Sequence, residues 1–238
     1  MQISWRCTLR IVVISDIHSN LDALEAVIEN LPKYDELFCL GDMVGYGPQP
    51  NEVVKRLRLL RPNVVLMGNH DSAVVTGDTA GFSSHAAEAV EWTREKINHK
   101  SLDYLASLQS SARLDRGGMS LAVFHGSPHD PLTEYIFPGI PDASARKLIE
   151  VAGVKIVLLG HTHMPMLYTF GGQMLGNPGS VGQPRDGDPR SSFATLTISD
   201  GRFSFDIKRV EYDVDPVAEK ILQAGLPEFL AERLYIGM

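Results

Sequence analysis

The chain has 238 residues, of which 44% are hydrophobic and 21% are charged, a composition typical of a folded globular protein and not of a disordered one. Its formal net charge of −7 argues against strong binding of nucleic acid, because such binding depends on neutralising phosphates. No apolar run is long enough to span a bilayer, and residues 1–10 lack the apolar segment of a signal peptide, so we expect a cytoplasmic protein with no membrane partner. Two cysteines, Cys7 and Cys39, are too few for a disulfide framework and are expected to be reduced.

Apolar runs alternate with amphipathic segments through most of the chain, and this pattern predicts a layered α/β protein. In the first part, Asn20 is a helix-capping residue, Pro32 ends the helix that follows, and Asn51 is expected to cap a second helix. Glycines and prolines between residues 41 and 50 exclude regular structure there. The predicted strands are Leu9–Ile17, Glu36–Leu40 and Val64–Met67, and the predicted helices are Leu21–Leu31, Asn51–Leu60 and Ser83–Asn98.

The second part of the chain continues the alternation and then becomes rich in strands. Residues 171–172 and 200–201 are two-residue turn sequences between short apolar runs, which predicts successive hairpin-linked strands. Residues 215–216 and 226–227 each start a terminal helix, with proline at its first position. The predicted elements are strands Met119–Phe124, Val154–Leu159, Leu167–Phe170, Gln173–Leu175, Phe193–Ile198 and Phe203–Val210 and a helix over Ala143–Ala152. Because no linker or repeat interrupts this order, we expect residues 1–238 to form one domain.

Metal-ligand residue types follow five of the predicted buried strands. An Asp-x-His motif, a Gly-Asp pair, a Gly-Asn-His-Asp run, a His-Gly pair and a Gly-His-x-His motif occur in this order. Ligands of α/β proteins bind in the crevice outside the carboxyl ends of the strands, so we expect these segments to converge on one site. The candidate ligands are Asp16, His18, Asp42, Asn69, His125, His161 and His163.

The number and types of these residues suit a pair of metal ions. Two divalent metals about 3.5 to 4 Å apart need a shared carboxylate and further nitrogen and oxygen ligands on each side. Residues two apart in an extended segment point to the same side, so Asp16 with His18, and His161 with His163, are each expected to present two ligands from extended chain. Each motif alone is also compatible with a turn or a helix cap; their recurrence at strand ends indicates a metal centre.

This ordered set of motifs, from Asp16 to His163 and on through Asn177-Pro-Gly-Ser to about residue 186, resembles the calcineurin-like metallophosphoesterase family, and within it the small bacterial phosphodiesterases. The resemblance implies a four-layer α/β/β/α sandwich of two mixed sheets flanked by helices. It also implies hydrolysis of phosphate esters, diesters before monoesters, through attack by a hydroxide that bridges two divalent metals. Manganese is the favoured metal, and iron, zinc, nickel or cobalt also suit these ligands.

The resemblance further implies a role for each residue of the motifs. His70 would be the acid beside the metals, which in its protonated form stabilises developing charge or protonates the leaving oxygen. The ligands would divide into two groups: Asp16, His18 and His163 at one metal, Asn69, His125 and His161 at the other, with Asp42 bridging both.

Two residues outside the motifs are candidates for binding the substrate. Tyr46 lies in the loop that follows Asp42 and would form a wall of the substrate pocket, although a loop aromatic without function is an equal alternative. Arg185 would contact a phosphate, or else be solvated or pair with a carboxylate. The sequence predicts neither the alcohol carried by the phosphate nor the oligomeric state.

Two other functions are open at this stage. A protein that keeps this fold only as a scaffold for protein binding would have lost ligands or the acid, whereas all of them are present here. A nuclease would be expected to carry basic or aromatic-rich stretches, which this acidic chain lacks. The sequence therefore favours a small phosphate ester as the substrate.

Overall fold

The computed structural model describes residues 8–238, so the expectations for residues 1–7, including the state of Cys7, lie outside it. The strands are β1 (Leu9–Ile14), β2 (Glu36–Cys39), β3 (Val64–Val65), β4 (Ser111–Arg116), β5 (Met119–Phe124), β6 (Ile156–Leu158), β7 (Met166–Phe170), β8 (Gln173–Asn177), β9 (Ser191–Ser199) and β10 (Arg202–Val210). The helices are α1 (Leu21–Glu29), α2 (Pro50–Leu60), α3 (Asn69–Thr76), α4 (Ser84–Lys96), α5 (His99–Ala106), α6 (Asp142–Ala152), α7 (Asp215–Gln223) and α8 (Glu228–Glu232), followed by a 3₁₀ turn over Arg233–Tyr235.

The strands form two five-stranded sheets, and both are mixed. The first has the order β10-β9-β1-β2-β3, in which β1, β2 and β3 are parallel and β9 and β10 are antiparallel neighbours. The second has the order β4-β5-β6-β8-β7, in which β5, β6 and β8 are parallel and the two edge strands run the other way. In the second sheet the parallel strands lie inside, whereas in the first sheet the parallel strand β3 forms one edge.

Alternate residues of β1 show how the layers are stacked. Ile11 and Val13 belong to a buried cluster with Leu121 of β5, so they fill the space between the two sheets. Val12 and Ile14 belong to the cluster formed with the helices that cover the first sheet. A third cluster joins the outer face of the second sheet to α6. The layers are therefore α/β/β/α, as the resemblance implied, and burial of each such side chain contributes about 1.5–3 kcal/mol.

Several predicted boundaries are confirmed and others are shifted. Asn20 caps α1, since its side chain accepts a hydrogen bond from the Ala23 amide at 3.0 Å. Asn51 does not cap α2, because Pro50 takes the first helical position, where its fixed φ and missing N–H suit the helix start. The Asn51 side chain instead bonds to the segment before α5, donating to the Lys96 carbonyl and accepting from the Asn98 amide.

Three elements were not predicted: α3, α5 and β4. The predicted helix over Ser83–Asn98 ends at Lys96, and Asn98 caps α5 by accepting a hydrogen bond from the Ser101 amide at 2.9 Å. The half-exposed β4 carries charged residues and has no run of buried apolar side chains that would have marked it.

The last strands and helices also differ in detail from the prediction. Both hairpins, β7-β8 and β9-β10, are present, but they lie in different sheets and are not four successive neighbours. Pro216 is the second residue of α7, and Pro227 precedes the first residue of α8. None of the helices in residues 8–238 is long and apolar enough to cross a membrane.

Candidate metal centre

The predicted ligands meet where the parallel strands of both sheets end. Asp16 and Asp42 follow β1 and β2 of the first sheet, and Asn69 opens α3 directly after β3. His125 and the segment of His161 follow β5 and β6 of the second sheet. A hydrogen bond joins the loops of the two sheets: the His161 amide donates to the side-chain oxygen Oδ2 of Asp16 at 3.1 Å. All seven predicted ligands are buried.

The backbone at five of these ligands is left-handed, which corrects the expectation of extended segments. Within residues 8–238, nine residues other than glycine have positive φ, and five of them are predicted ligands: Asp16, His18, Asp42, His161 and His163, with φ from 48° to 68°. The strand predicted to reach Ile17 ends at Ile14 because the amides of Ile17 and His18 turn to donate to the Asp42 carbonyl at 2.8 and 3.0 Å. Strained positions of this kind persist only where the surroundings fix them, and they cluster at functional sites.

Main-chain carbonyls fix the orientation of three imidazoles. Nδ1 of His18 lies 3.1 Å from the Val44 carbonyl, that of His125 lies 2.8 Å from the Leu40 carbonyl, and that of His163 lies 2.6 Å from the Gln183 carbonyl. Nδ1 must donate to a carbonyl, so the lone pair of each neutral ring is on Nε2. This partner on the second nitrogen is the arrangement typical of metal-binding histidines.

The Nε2 atoms then face one another and two carboxylate oxygens. His18 Nε2 lies 3.0 Å from His163 Nε2, an arrangement of two lone pairs that requires a positive charge beside them. Asp16 Oδ1 and Asp42 Oδ2 are buried and have no hydrogen-bond partner. The nearest cationic candidates are 3.4 Å away: His163 Nε2 from Asp16 Oδ1, and His125 Nε2 from Asp42 Oδ2. Buried acceptors without donors, opposite imidazole lone pairs, fit divalent metal ions.

The donor atoms form two groups that share Asp42. One contains Asp16, His18, Asp42 and His163, and the other contains Asp42, His125 and His161, with all donor atoms of a group within 4.8 Å of one another. Oδ1 of Asn69 lies 3.1 Å from Nε2 of His125 and so borders the second group. This division matches the two ligand sets implied by the resemblance, and the residues present fit a pair of metals.

His161 is held differently from the other three histidines. Its Nε2 lies 3.1 Å from the Thr133 carbonyl, which leaves Nδ1 for a metal. The ring of Tyr135 stacks on it with centroids 3.7 Å apart, and Phe137 stacks on Tyr135 at 5.5 Å. Both aromatic residues are exposed, at 47% and 51%. The loop before α6 therefore covers this ligand, and no motif in the sequence pointed to it.

The charges of the metal-free cluster support the same interpretation. Burial disfavours the ionised form of Asp42, yet His125 and His70 hold its pKa well below the usual range. Burial also opposes a charge on His125, but Asp42 and Asp16 outweigh it and raise the pKa of His125 to about 9. Burial raises the pKa of Asp16 to about 7. Without a metal, a proton on His125 is thus the positive charge that Asp42 requires.

His70 lies beside the ligands without belonging to either group. Its amide donates to Oδ1 of Asp42 at 2.8 Å, and its buried Nδ1 has no hydrogen-bond partner. Burial lowers the pKa of His70 to about 4, so the ring is neutral at pH 7, unlike the protonated acid implied by the resemblance. An acid role therefore requires that the negative charge of a bound substrate raise this pKa.

Asp71, the last residue of the Gly-Asn-His-Asp run, has a structural role that sequence analysis missed. Its carboxylate accepts hydrogen bonds from the amides of Gly68 at 3.0 Å and Val44 at 3.1 Å, so it joins the start of α3 to the loop after β2. A side chain at Gly68 would collide with Asp42, which explains the glycine there. An acidic residue three positions after a helix cap was the available signal.

The two predicted substrate contacts lie together on the rim of the centre. The Tyr46 ring lies 4.7 Å from that of His18 and 4.4 Å from that of His70, centroid to centroid. The guanidinium carbon of Arg185 lies 5.5 Å from the Tyr46 centroid. Arg233, which sequence analysis did not identify, approaches the same ring to 5.8 Å from the C-terminal 3₁₀ turn.

Two mixed sheets whose strand ends enclose a buried Asp and His cluster define the architecture of a metallophosphoesterase. The chain belongs to the calcineurin-like phosphoesterase superfamily, whose domain matches residues 9–201. It is 37% identical to an uncharacterized protein of Methanocaldococcus jannaschii over 95% of this chain and 98% of that one. It superposes on the crystal structure of a metallophosphoesterase from Sphaerobacter thermophilus with a TM-score of 0.83 and 36% identity, over 97% of this chain and 99% of that one.

The chain also has a shorter region of sequence similarity to a second kind of protein. A symmetrical bis(5'-nucleosyl)-tetraphosphatase of Baumannia cicadellinicola is 39% identical over 71 residues, which cover 27% of this chain and 25% of that protein.

Proposed function

We propose that the protein is a dinuclear metal-dependent phosphoesterase that hydrolyses phosphate esters, with diesters preferred over monoesters. One observation carries the proposal: two groups of buried donor atoms share the Asp42 carboxylate, whose Oδ2 has no hydrogen-bond partner. Divalent metals bound there would supply Lewis acidity toward phosphoryl oxygens and a water-derived nucleophile at neutral pH. Manganese is the proposed metal, and other first-row metals also suit mixed nitrogen and oxygen donors.

The proposed metal ligands form two sets, one for each metal. Asp16, His18 and His163 would hold one metal, and Asn69, His125 and His161 would hold the other. The carbonyls of Val44, Leu40 and Gln183 fix the tautomer of three of these rings, so that the lone pair on Nε2 would be available to a metal.

His70 acts at the leaving group. The ring is neutral before the substrate binds, and the negative charge of a phosphate ester beside it raises its pKa and favours protonation. It then donates that proton to the leaving oxygen, a contribution of about 10²- to 10⁴-fold in rate. Tyr46, in contact with His70 and His18, forms the wall against which the ester lies.

A metal-by-substrate panel tests the proposal. Protein stripped with a chelator and reconstituted singly with Mn, Zn, Ni, Co or Fe is assayed on bis(p-nitrophenyl) phosphate and p-nitrophenyl phosphate. We expect no hydrolysis without metal, and a higher kcat/KM for the diester with the best metal. Equal activity before and after stripping would reject the metal mechanism, and a higher kcat/KM for the monoester would reject the diester preference.

The likeness to a bis(5'-nucleosyl)-tetraphosphatase favours a second candidate, the cleavage of a phosphoric anhydride. An internal phosphorus of a polyphosphate chain resembles that of a diester, because it carries two bridging oxygens. Diadenosine tetraphosphate therefore belongs in the same panel. A kcat/KM for it above that of every simple diester would make anhydride cleavage the preferred reaction.

The two alternatives open at the sequence level are separable by the same preparations. A scaffold for protein binding would hydrolyse nothing in the panel with any of the metals. A nuclease would require long nucleic acid and would lose activity steeply with added salt. We expect activity on a small diester to be nearly insensitive to salt, because metal coordination, not a basic surface, binds the phosphate.

A further inference from the structure

Two arginine side chains border the same aromatic ring on the rim of the metal centre. The guanidinium carbons of Arg185 and Arg233 lie 5.5 and 5.8 Å from the centroid of Tyr46. That ring in turn contacts His18 and His70, with centroids 4.7 and 4.4 Å away. Both cations therefore border a ring that also contacts a proposed metal ligand and the proposed acid.

Neither arginine is neutralised by an acidic side chain. Within residues 8–238, no Asp or Glu pairs with Arg185 or Arg233. The carboxylates that follow Arg185 in the chain are already engaged, since Asp186 pairs with Arg209 and Asp188 pairs with Arg190 at 2.7 Å. Loop arginines often form surface ion pairs, and Arg185 does not form one with any Asp or Glu among these residues.

Both guanidinium groups keep unused donors. Arg185 donates from one terminal nitrogen to Oε1 of Gln183 at 2.9 Å, while its buried Nε has no hydrogen-bond partner. Arg233 donates from Nε to the main-chain oxygen of Met238, which orients the group, and in the described part of the chain its terminal nitrogens find no acceptor. A buried donor without an acceptor, as Nε of Arg185 is, is rare in folded proteins and indicates a missing partner such as a ligand.

The two cations also repel each other. Burial and the nearby Arg185 lower the pKa of Arg233 to about 10. Burial lowers the pKa of His18 and of His163 well below the usual range, and the charge of Arg185 lowers both further, so that charge reaches the ligand cluster. An anion bound by both arginines would offset this repulsion and accept hydrogen bonds from their free donors.

We infer that Arg185 and Arg233 form a subsite for a second phosphoryl group of the substrate, next to the one that is hydrolysed. The inference rests on the proposed function, which assigns the scissile phosphoryl group to the metals. Guanidinium groups match phosphate oxygens with two parallel hydrogen bonds, a geometry that a carboxylate-free pair of arginines leaves available. The preferred substrate class is therefore a compound with two phosphoryl groups joined by a short bridge, such as a di- or polyphosphate or its ester.

Binding of unreactive analogues tests the subsite separately from catalysis. Metal-saturated protein, freed of excess metal, is titrated calorimetrically with methylenediphosphonate and with methylphosphonate. We expect the diphosphonate to bind more tightly, and Arg185→Ala and Arg233→Ala each to reduce the ratio of the two affinities by about 10- to 100-fold. Arg190→Gln, which removes an arginine held by Asp188, is the matched control and should leave the ratio unchanged.

A conservative variant, Arg233→Lys, keeps the test decisive if an alanine variant folds poorly. Arg233→Lys keeps the charge but not the planar fork, so it should show a smaller loss of the ratio than Arg233→Ala. Metal content is measured for every variant. A ratio that is the same in wild type and in the folded arginine variants would overturn the subsite.

Ester hydrolysis by the same preparations separates the two proposals. If simple esters are cleaved and the affinity ratio does not depend on the arginines, the subsite is wrong and the phosphoesterase proposal stands. If no ester is cleaved and the ratio still depends on both arginines, the subsite stands and the proposed hydrolysis is wrong.

Discussion

The floor and the rim of the candidate centre are built in different ways. The floor consists of the seven proposed ligands, which are all buried and mostly lie in left-handed turns directly after parallel strands. The rim consists of Tyr46, Tyr135, Arg185 and Arg233, which come from loops and from the C-terminal 3₁₀ turn. Of these four, only Tyr46 is buried. Floor residues are fixed by hydrogen bonds that link both sheets, such as the bond from the His161 amide to Asp16. The rim tyrosines pack against floor histidines, and the two arginines approach the Tyr46 ring.

This difference indicates that the floor residues serve the reaction itself and the rim residues serve the choice of substrate. Groups that hold metals must be placed to within a fraction of an ångström, and rigid strand ends supply that precision. Groups that recognise the rest of a substrate lie on loops, where sequence can vary without disturbing the core. We therefore expect changes in the floor to abolish reaction on every substrate, and changes in the rim to alter the choice among substrates.

The largest effect is expected from Asp42→Ala. Both donor groups contain this carboxylate, so its removal should lower the occupancy of both metals and reduce kcat/KM by roughly 10⁴-fold or more. Elemental analysis and kinetics on the reconstituted variant check this. Normal metal content with normal activity would remove Asp42 from the centre.

His70→Ala should keep both metals yet reduce kcat by about 10²- to 10⁴-fold, because His70 touches the cluster without belonging to either donor group. The loss should be larger for an alkyl leaving group than for p-nitrophenolate, which needs no proton. His99→Ala, at an exposed position on α5, serves as the control. Equal losses on both leaving groups would assign His70 to positioning, and a lost metal would make it a ligand.

Asp71→Ala should affect stability more than chemistry. It leaves the buried amides of Gly68 and Val44 without an acceptor, which should lower the free energy of unfolding by roughly 2 to 4 kcal/mol. Denaturant unfolding of the variant measures the change. An unchanged free energy of unfolding would show that Asp71 does not hold these loops together.

The pH dependence of Asp71→Asn sharpens that result. Burial, reinforced by Asp42, raises the pKa of Asp71 from 3.8 to about 7, so the folded state holds a proton that the unfolded state releases. This contribution to stability is complete below about pH 4 and is lost as the pH rises to about 7. The stability difference between wild type and Asp71→Asn, both metal-free, should therefore shrink over that range. A difference that grows with pH would contradict the raised pKa.

The smallest effect is expected from Tyr135→Ala in the rim. Its stacking on His161 is worth about 0.5–1.5 kcal/mol, so its loss should lower metal affinity or kcat/KM by about 2- to 10-fold. Tyr135→Phe keeps the ring and should behave like wild type. An effect as large as that of a ligand substitution would place Tyr135 in the floor.

The sequence predicted the floor well because each ligand is adjacent to a buried apolar strand. Strand ends are readable from hydrophobic runs, and Asp16, Asp42 and His125 follow such runs directly. The backbone conformation was predicted wrongly, since the spacing of Asp16 and His18 suits an extended segment as well as two left-handed turns. Only the main-chain bonds from the amides of Ile17 and His18 to the carbonyl of Asp42, which lies in the second loop, distinguish the two conformations.

The rim was predicted only in part. Tyr46 and Arg185 could be predicted because they lie close in sequence to the motifs. Arg233 is brought to Tyr46 by the packing of α7 and α8 against α4, a long-range arrangement that no local pattern contains. Tyr135 lies in an irregular loop, and nothing in its neighbourhood marks the contact with His161.

The most direct test of the two-metal floor is anomalous X-ray diffraction from crystals of the reconstituted protein, measured at the absorption edge of the added metal. We expect two peaks per chain, both within coordination distance of Asp42, one beside His18 and His163 and the other beside His125 and His161. A single peak, or peaks that do not share Asp42, would contradict the dinuclear centre.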